Sequence, residues 1–160
     1  MALATAKLAS IKDNACFSSS ASNCEYFVLS KSMRLPVDPS LIVEGNFLPS
    51  GGRAATLRLL DASLHPDAIF CANDLMAVGC YEALKERGIR VGADIAVMGY
   101  DDQEIAQHLS PALSTVLLPH REMGLWCAEQ LLKADRPVTQ ERHECPLVIR
   151  DSHIGMKPAR

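Results

Sequence analysis

The chain has 160 residues, 48% hydrophobic and 22% charged, with a formal net charge of −3. That is one soluble globular domain with a core of its own, and its acidic balance offers no basic surplus for nucleic acid or an anionic membrane. No apolar run approaches the ~20 residues of a membrane span, and MALATAKLAS makes a poor secretory signal.

Leu8, Ala9, Ser10 and Ile11 predict a short first strand, with Lys12, Asp13 and Asn14 at its exit. A serine-rich loop and a helix over residues 21–34 follow. The proline-bearing connector LPVDP excludes helix. Leu41, Ile42, Val43 and Glu44 predict the second strand, which exits at Gly45, Asn46 and Phe47. Ser50, Gly51 and Gly52 then open a helix that stops before Pro66; the glycine pair lacks the lysine and spacing of a phosphate loop. Two apolar runs, residues 68–72 and 95–98, are near-continuous rather than alternating, as in strands buried on both faces of a parallel sheet. Between them Leu75, Met76, Val78, Tyr81, Leu84 and Ile89 recur at helical spacing. Asp74 is placed to cap this helix and Gly88 to end it in the left-handed region. One or two helical turns near Ile105, a strand over 114–117, a helix from Pro119 to about 133 and a last strand over 146–150 complete the series. A polar tail, 153–160, follows.

Six cysteines (Cys16, Cys24, Cys71, Cys80, Cys127 and Cys145) show no CxxC or Cys/His metal spacing, so no metal or other cofactor is expected and the compartment implied is the cytoplasm. The chemistry concentrates at strand exits. The first apolar run ends in Asn73 and Asp74, the second in Gly99, Tyr100, Asp101 and Asp102. A right-handed crossover between parallel strands brings both exits to one sheet edge, where open α/β sheets bind ligands. Either cluster alone could be a cap or a turn. Joined by one strand–helix–strand unit, they favour a site for the hydroxyls of a small polar molecule. No nucleophile, metal set or cofactor loop accompanies these acids, so an enzyme is not expected. His108 has no nucleophile paired with it in sequence.

The run FCANDLMAVGCYEALKERGIRVGADIAVMGYDD, followed by SPALSTV, resembles the effector-binding core of the lactose repressor (LacI/GalR) family of bacterial transcription regulators, itself similar to periplasmic sugar-binding proteins. Less dense matches, LPVDPSLIVEGNF upstream and PHREMGLWCAEQLL and PLVIRDS downstream, extend the likeness over most of residues 35–152. The resemblance implies an α/β fold with a three-layer parallel sheet, one lobe of a periplasmic-binding-protein-like domain. Residues 1–152 would form that lobe, except that the helix at 120–134 would belong to the first lobe of a full-length relative.

The resemblance further implies ligand contacts at Asn73, Asp101, Phe47, Asn23, Asp74 and Tyr100, with Phe47 stacking on an apolar ligand face. Two positions depart from the family pattern. Asn23 stands where relatives carry a ligand-gripping arginine, with Tyr26 where glycine is usual, and asparagine cannot supply a guanidinium fork. Leu118 stands where relatives place a polar residue, often glutamine. The implied partners are a sugar-like effector, a second copy of the chain, and operator DNA only through a helix-turn-helix headpiece absent from this chain; no membrane is implied. The apolar side of the 120–133 helix, shaped for the missing lobe, predicts a homodimer or larger assembly, with exchange of this helix as one route. The alternative is a periplasmic-type solute-binding protein, against which the absence of a secretory signal and the six unpaired cysteines both count.

Overall fold

The computed structural model describes residues 39–62, 66–133 and 140–153, and the backbone of 2–7 and 13–14. The expected first strand at 8–11, the helix at 21–34, Asn23, Tyr26 and the tail from 154 lie outside the described residues.

Strand β3 (Ile42–Glu44) is followed by helix α1 (Pro49–Asp61), strand β4 (Ala68–Cys71), helix α2 (Asp74–Glu86) and strand β5 (Ala96–Met98). These are the alternating elements of an α/β sheet. β4 and β5 pair in parallel, with Ile69 opposite Val97. Beyond β5 the chain makes a single helical turn, α3 (Ile105–His108), and then β6 (Thr115–Val116), which continues the same direction through parallel bridges Met98–Ser114 and Asp101–Leu117. Helix α4 (His120–Leu132) leads to β7 (Leu147–Val148), antiparallel to β6.

Residues 2–7 form a strand not foreseen in the sequence. β1 (Ala2–Lys7) runs antiparallel to β3 on one side and to β4 on the other. It also pairs antiparallel with β2 (Asp13–Asn14), Ala6 facing Asn14. The five residues from 8 to 12 are too few for the crossover of about a dozen that parallel neighbours need, so β1 and β2 fold back on each other. β3, β4, β5 and β6 still share one direction, and all their exits open on one edge.

The core lies between β4–β5 and the helices on one face, built from Leu59, Ile69, Cys71, Met76, Leu84, Val97 and Leu113. Two glycines let α1 and α2 approach backbone to backbone. A Cβ on Gly79 would strike the Pro49 carbonyl and come 2.6 Å from Arg53 N; a Cβ on Gly52 would strike the Met76 carbonyl. Between the helices, Arg53 donates two 2.8 Å bonds to the Glu86 carboxylate, and Arg87 pairs with Asp61. α4 has no buried residue; Leu125 is half exposed, and Leu131 and Leu132 more so.

Candidate functional site at the strand exits

The cap of α2 fixes the first part of the rim. Asn73, not Asp74, is the N-cap: its Oδ1 accepts from Met76 N at 2.8 Å, satisfying one of the orphan amides of the first turn. The same side chain donates from Nδ2 to the Phe47 carbonyl at 3.1 Å. One carboxamide thus joins the exits of β3 and β4. Asn73 is nearly buried, whereas the Phe47 ring is 44% exposed.

Asp74, freed from capping, turns inward and is fully buried. Thr115 Oγ1 donates to its Oδ1 and Gln103 N to its Oδ2, each at 2.7 Å. Its own amide donates to the Tyr100 carbonyl at 2.9 Å. Gly99 runs alongside, and a Cβ there would strike the Asp74 carboxylate and come 2.8 Å from Leu113 Cδ2. Burial pushes the Asp74 carboxyl above the usual carboxylate range; the Thr115 and Gln103 bonds oppose that rise, and the charges of Asp101 and Asp102 add to it. In this arrangement Asp74 is a floor beneath the rim and offers a ligand no surface. That departs from the contact expected of it, because the carboxylate's oxygens are drawn into β6 and the loop after Tyr100.

Asp101 and Asp102 have φ of 111° and 55°, and Phe47 has φ of 64°. These are the only non-glycine residues in the left-handed region among the described ones, and all three stand at the exits of β3 and β5. Strain of this kind persists where the surroundings over-determine it, and it clusters at functional sites. Asp101 N donates to the Val116 carbonyl at 2.9 Å, its carbonyl accepts from Leu118 N at 3.4 Å, and its Oδ2 accepts from Gln103 Nε2 at 3.0 Å. Burial raises its carboxyl as well, against the Gln103 bond and the neighbouring His120. Asp101 and Tyr100 are partly exposed.

The structure therefore brings Phe47, Asn73, Tyr100 and Asp101 to one edge, with Asp74 beneath them. Leu118 is bonded to Asp101 at the same edge. Sequence reading missed Thr115, Gln103 and Arg150, which hold this edge together. The signal for Thr115 was a pair of hydroxyls, Ser114 and Thr115, opening the predicted strand over 114–117; Gln103 acts partly through its main chain, which side-chain identity does not announce. Among the described residues no group of three or more His, Cys, Asp or Glu could hold a metal ion.

A lobe of co-directional strands joined by helices, with polar groups gathered at the strand exits, defines a periplasmic-binding-protein-like class of ligand-binding domain. A family model described as "Periplasmic binding protein-like domain" matches residues 32–153. The ribose operon repressor of Haemophilus influenzae is 42% identical over 128 residues, 78% of this chain and 39% of that protein. A LacI-family regulatory protein from Chloroflexus aggregans superposes with a TM-score of 0.69 at 37% identity, over 79% of this chain and 47% of its own. The transcriptional regulator CelR in complex with cellobiose gives a TM-score of 0.70 at 31% identity, over 79% and 40%. The chain belongs to the periplasmic binding protein-like family, in its LacI/GalR branch of regulator effector domains. It spans about two fifths of the curated repressor it matches.

Proposed function

We propose that this chain is the second-lobe part of a small-molecule sensor in a LacI-type transcription regulator, taking a sugar or a related polar metabolite. The observation that carries the reading is the single bond from Asn73 Nδ2 to the Phe47 carbonyl. It sets an exposed aromatic ring beside the β4 exit, on the edge to which the parallel β5 delivers Asp101. A carboxylate for hydroxyls and a ring for an apolar sugar face are complementary to such a ligand. Asn73 contributes through what remains of its hydrogen-bonding capacity, Tyr100 lines the edge, and Asn23 is a weakened clamp. Leu118 beside Asp101 favours a ligand with an apolar edge there over one with a hydroxyl. Residues 1–152 form the lobe, α4 belongs against a first lobe, and 153–160 is the tail.

In such a regulator the ligand shifts a two-state equilibrium between lobes. The protein acts in the cytoplasm, as a homodimer or larger assembly, with no chemistry of its own. Operator contact belongs to a headpiece outside these residues. No helix among the described residues is long and apolar enough to cross a membrane. The test is calorimetric titration of the chain with D-ribose, cellobiose and hypoxanthine, with Asp101→Ala as control. Binding of one of them, abolished by Asp101→Ala, is expected; absence of heat and of any melting-point rise with all three would sink the reading. Sedimentation at tens of micromolar, a concentration chosen for convenience, tests the assembly, and a clean monomer would count against it.

A further inference from the structure

The loop that presents Asp101 is held from an unexpected quarter. Arg150 lies just past β7, on the segment that comes back into the lobe after α4. Its Nη2 pairs with Asp102 Oδ1 at 2.7 Å, with both side chains about 15% exposed. Its Nη1 donates to the Leu113 carbonyl at 2.7 Å, and its amide to Ser114 Oγ at 2.8 Å. The planar fork of a guanidinium spans two such acceptors in fixed geometry, and an ammonium does not. Ser152 pins the same segment: its hydroxyl donates to the Val97 carbonyl at 2.5 Å and accepts from Ser114 N at 2.8 Å, bridging β5 and β6. The segment is thus anchored to both strands flanking the loop, and Arg150 is its one described hold on the left-handed Asp101–Asp102 pair itself.

We infer that Arg150 is a positioning residue of the ligand rim: through Asp102 it keeps Asp101 in its rim-facing conformation and ties that loop to the β6–β7 strands leading to and from α4. This rests on reading the rim as a ligand site. Linkage is reciprocal, so a ligand held by Asp101 strengthens the Arg150 attachment as much as the attachment strengthens binding. Occupancy of the rim then reaches the α4 connection through one partly buried ion pair.

The test compares the full chain with Arg150→Met, Arg150→Lys and Asp102→Asn by amide hydrogen exchange and by titration with whichever of D-ribose, cellobiose and hypoxanthine the parent binds. Arg150→Met is expected to speed exchange at the Asp101 and Gln103 amides about tenfold, a coupling of ordinary size, while the Ile69 and Val97 amides keep their protection. The dissociation constant should rise by a similar factor. Arg150→Lys keeps the charge without the fork and should fall between, and Asp102→Asn added to Arg150→Met should cost nothing more. Exchange at Asp101 that is unchanged, or that rises only in step with the core amides, overturns the inference. Should Arg150→Met not fold, Arg150→Lys and Asp102→Asn give the same comparison. If the parent binds none of the three compounds, the sensor reading falls, while exchange at Asp101 still decides what Arg150 does.

Discussion

Asp74 offers the sharpest quantitative test of how the rim is supported. Its carboxylate is sealed and accepts two 2.7 Å bonds, from Thr115 Oγ1 and Gln103 N. Replacing it with alanine strands both donors away from water. At roughly 1–3 kcal/mol for each unsatisfied buried group, Asp74→Ala should lose about 2–6 kcal/mol at neutral pH. Asparagine has nearly the same shape. Its oxygen can face the Gln103 amide, which cannot turn, and its NH2 can face Thr115, whose hydroxyl can rotate to accept. Asp74→Asn gives up charge-assisted bonds but also sheds a buried charge beside Asp101 and Asp102, so its net cost should stay within about 1 kcal/mol.

The pH dependence separates the two ideas. The folded-state carboxyl of Asp74 is raised above its unfolded value. Between those two values the folded protein binds more protons than the unfolded one, so the contribution of Asp74 falls as pH rises through the raised pKa. Asparagine does not titrate. Urea unfolding at several pH values from 4 to 7 should therefore show Asp74→Asn gaining on the parent as pH increases. If asparagine costs as much as alanine at neutral pH, or if the difference from the parent is flat over this range, the account of Asp74 as a charge buried at a cost is wrong.

Gly79→Ala forces a methyl into the Pro49 carbonyl and should cost about 1–3 kcal/mol or more through overpacking, read as a drop in melting temperature; a neutral result would mean α1 and α2 can part freely. Asn73→Asp keeps the acceptor for Met76 N but loses the donor to Phe47, while Asn73→Ala loses both. Urea titration should place alanine about 1 kcal/mol below aspartate, the worth of a cap. Ser152→Ala leaves the Val97 carbonyl and the Ser114 amide facing each other without the bridging hydroxyl. A loss of about 1–3 kcal/mol in chemical denaturation is expected, and restoration by Ser152→Thr would identify the hydroxyl as the cause.

Much of the lobe was legible because its elements announce themselves locally. Asn73, the apolar spacing through Leu84 and the glycine at 88 delimit α2, and Gly88 takes a φ of 67° as expected. The cap was misassigned by one residue because Asn and Asp are nearly equal as caps; only the pull of Thr115, 41 positions away, decides which turns inward. Gly52 and Gly79 were unreadable for a related reason. A glycine in a helix looks like a weakness until the partner backbone that needs the space is known. Leu118 was placed at the rim by likeness to relatives, and its bond to the Asp101 carbonyl puts it there physically. The strand over 2–7 was not foreseen, because its apolar residues are small and few and periodicity over so short a stretch does not single it out.

The bonds that hold the rim and the groups that would meet a ligand fall on different sides of the same loops. Asp74, Thr115, Ser114 and Ser152 are buried, and their partners are main-chain groups, one another and, for Ser114, the His153 ring. Phe47 is exposed, and Tyr100, Asp101 and Leu118 are partly so. A substitution at Phe47 or Leu118 changes the outer surface and leaves the inner bonds intact, since both residues make those bonds through their main chains, whereas Asp101 also accepts from Gln103 through its carboxylate. Leu118 holds the Asp101 carbonyl through its main-chain amide, so its side chain can vary while the strained Asp101–Asp102 turn keeps its shape. Asn73 commits its carboxamide to the inner bonds, with Met76 N and the Phe47 carbonyl. At Asn73 and Asp101 alike, a substitution that alters the rim should therefore also cost stability.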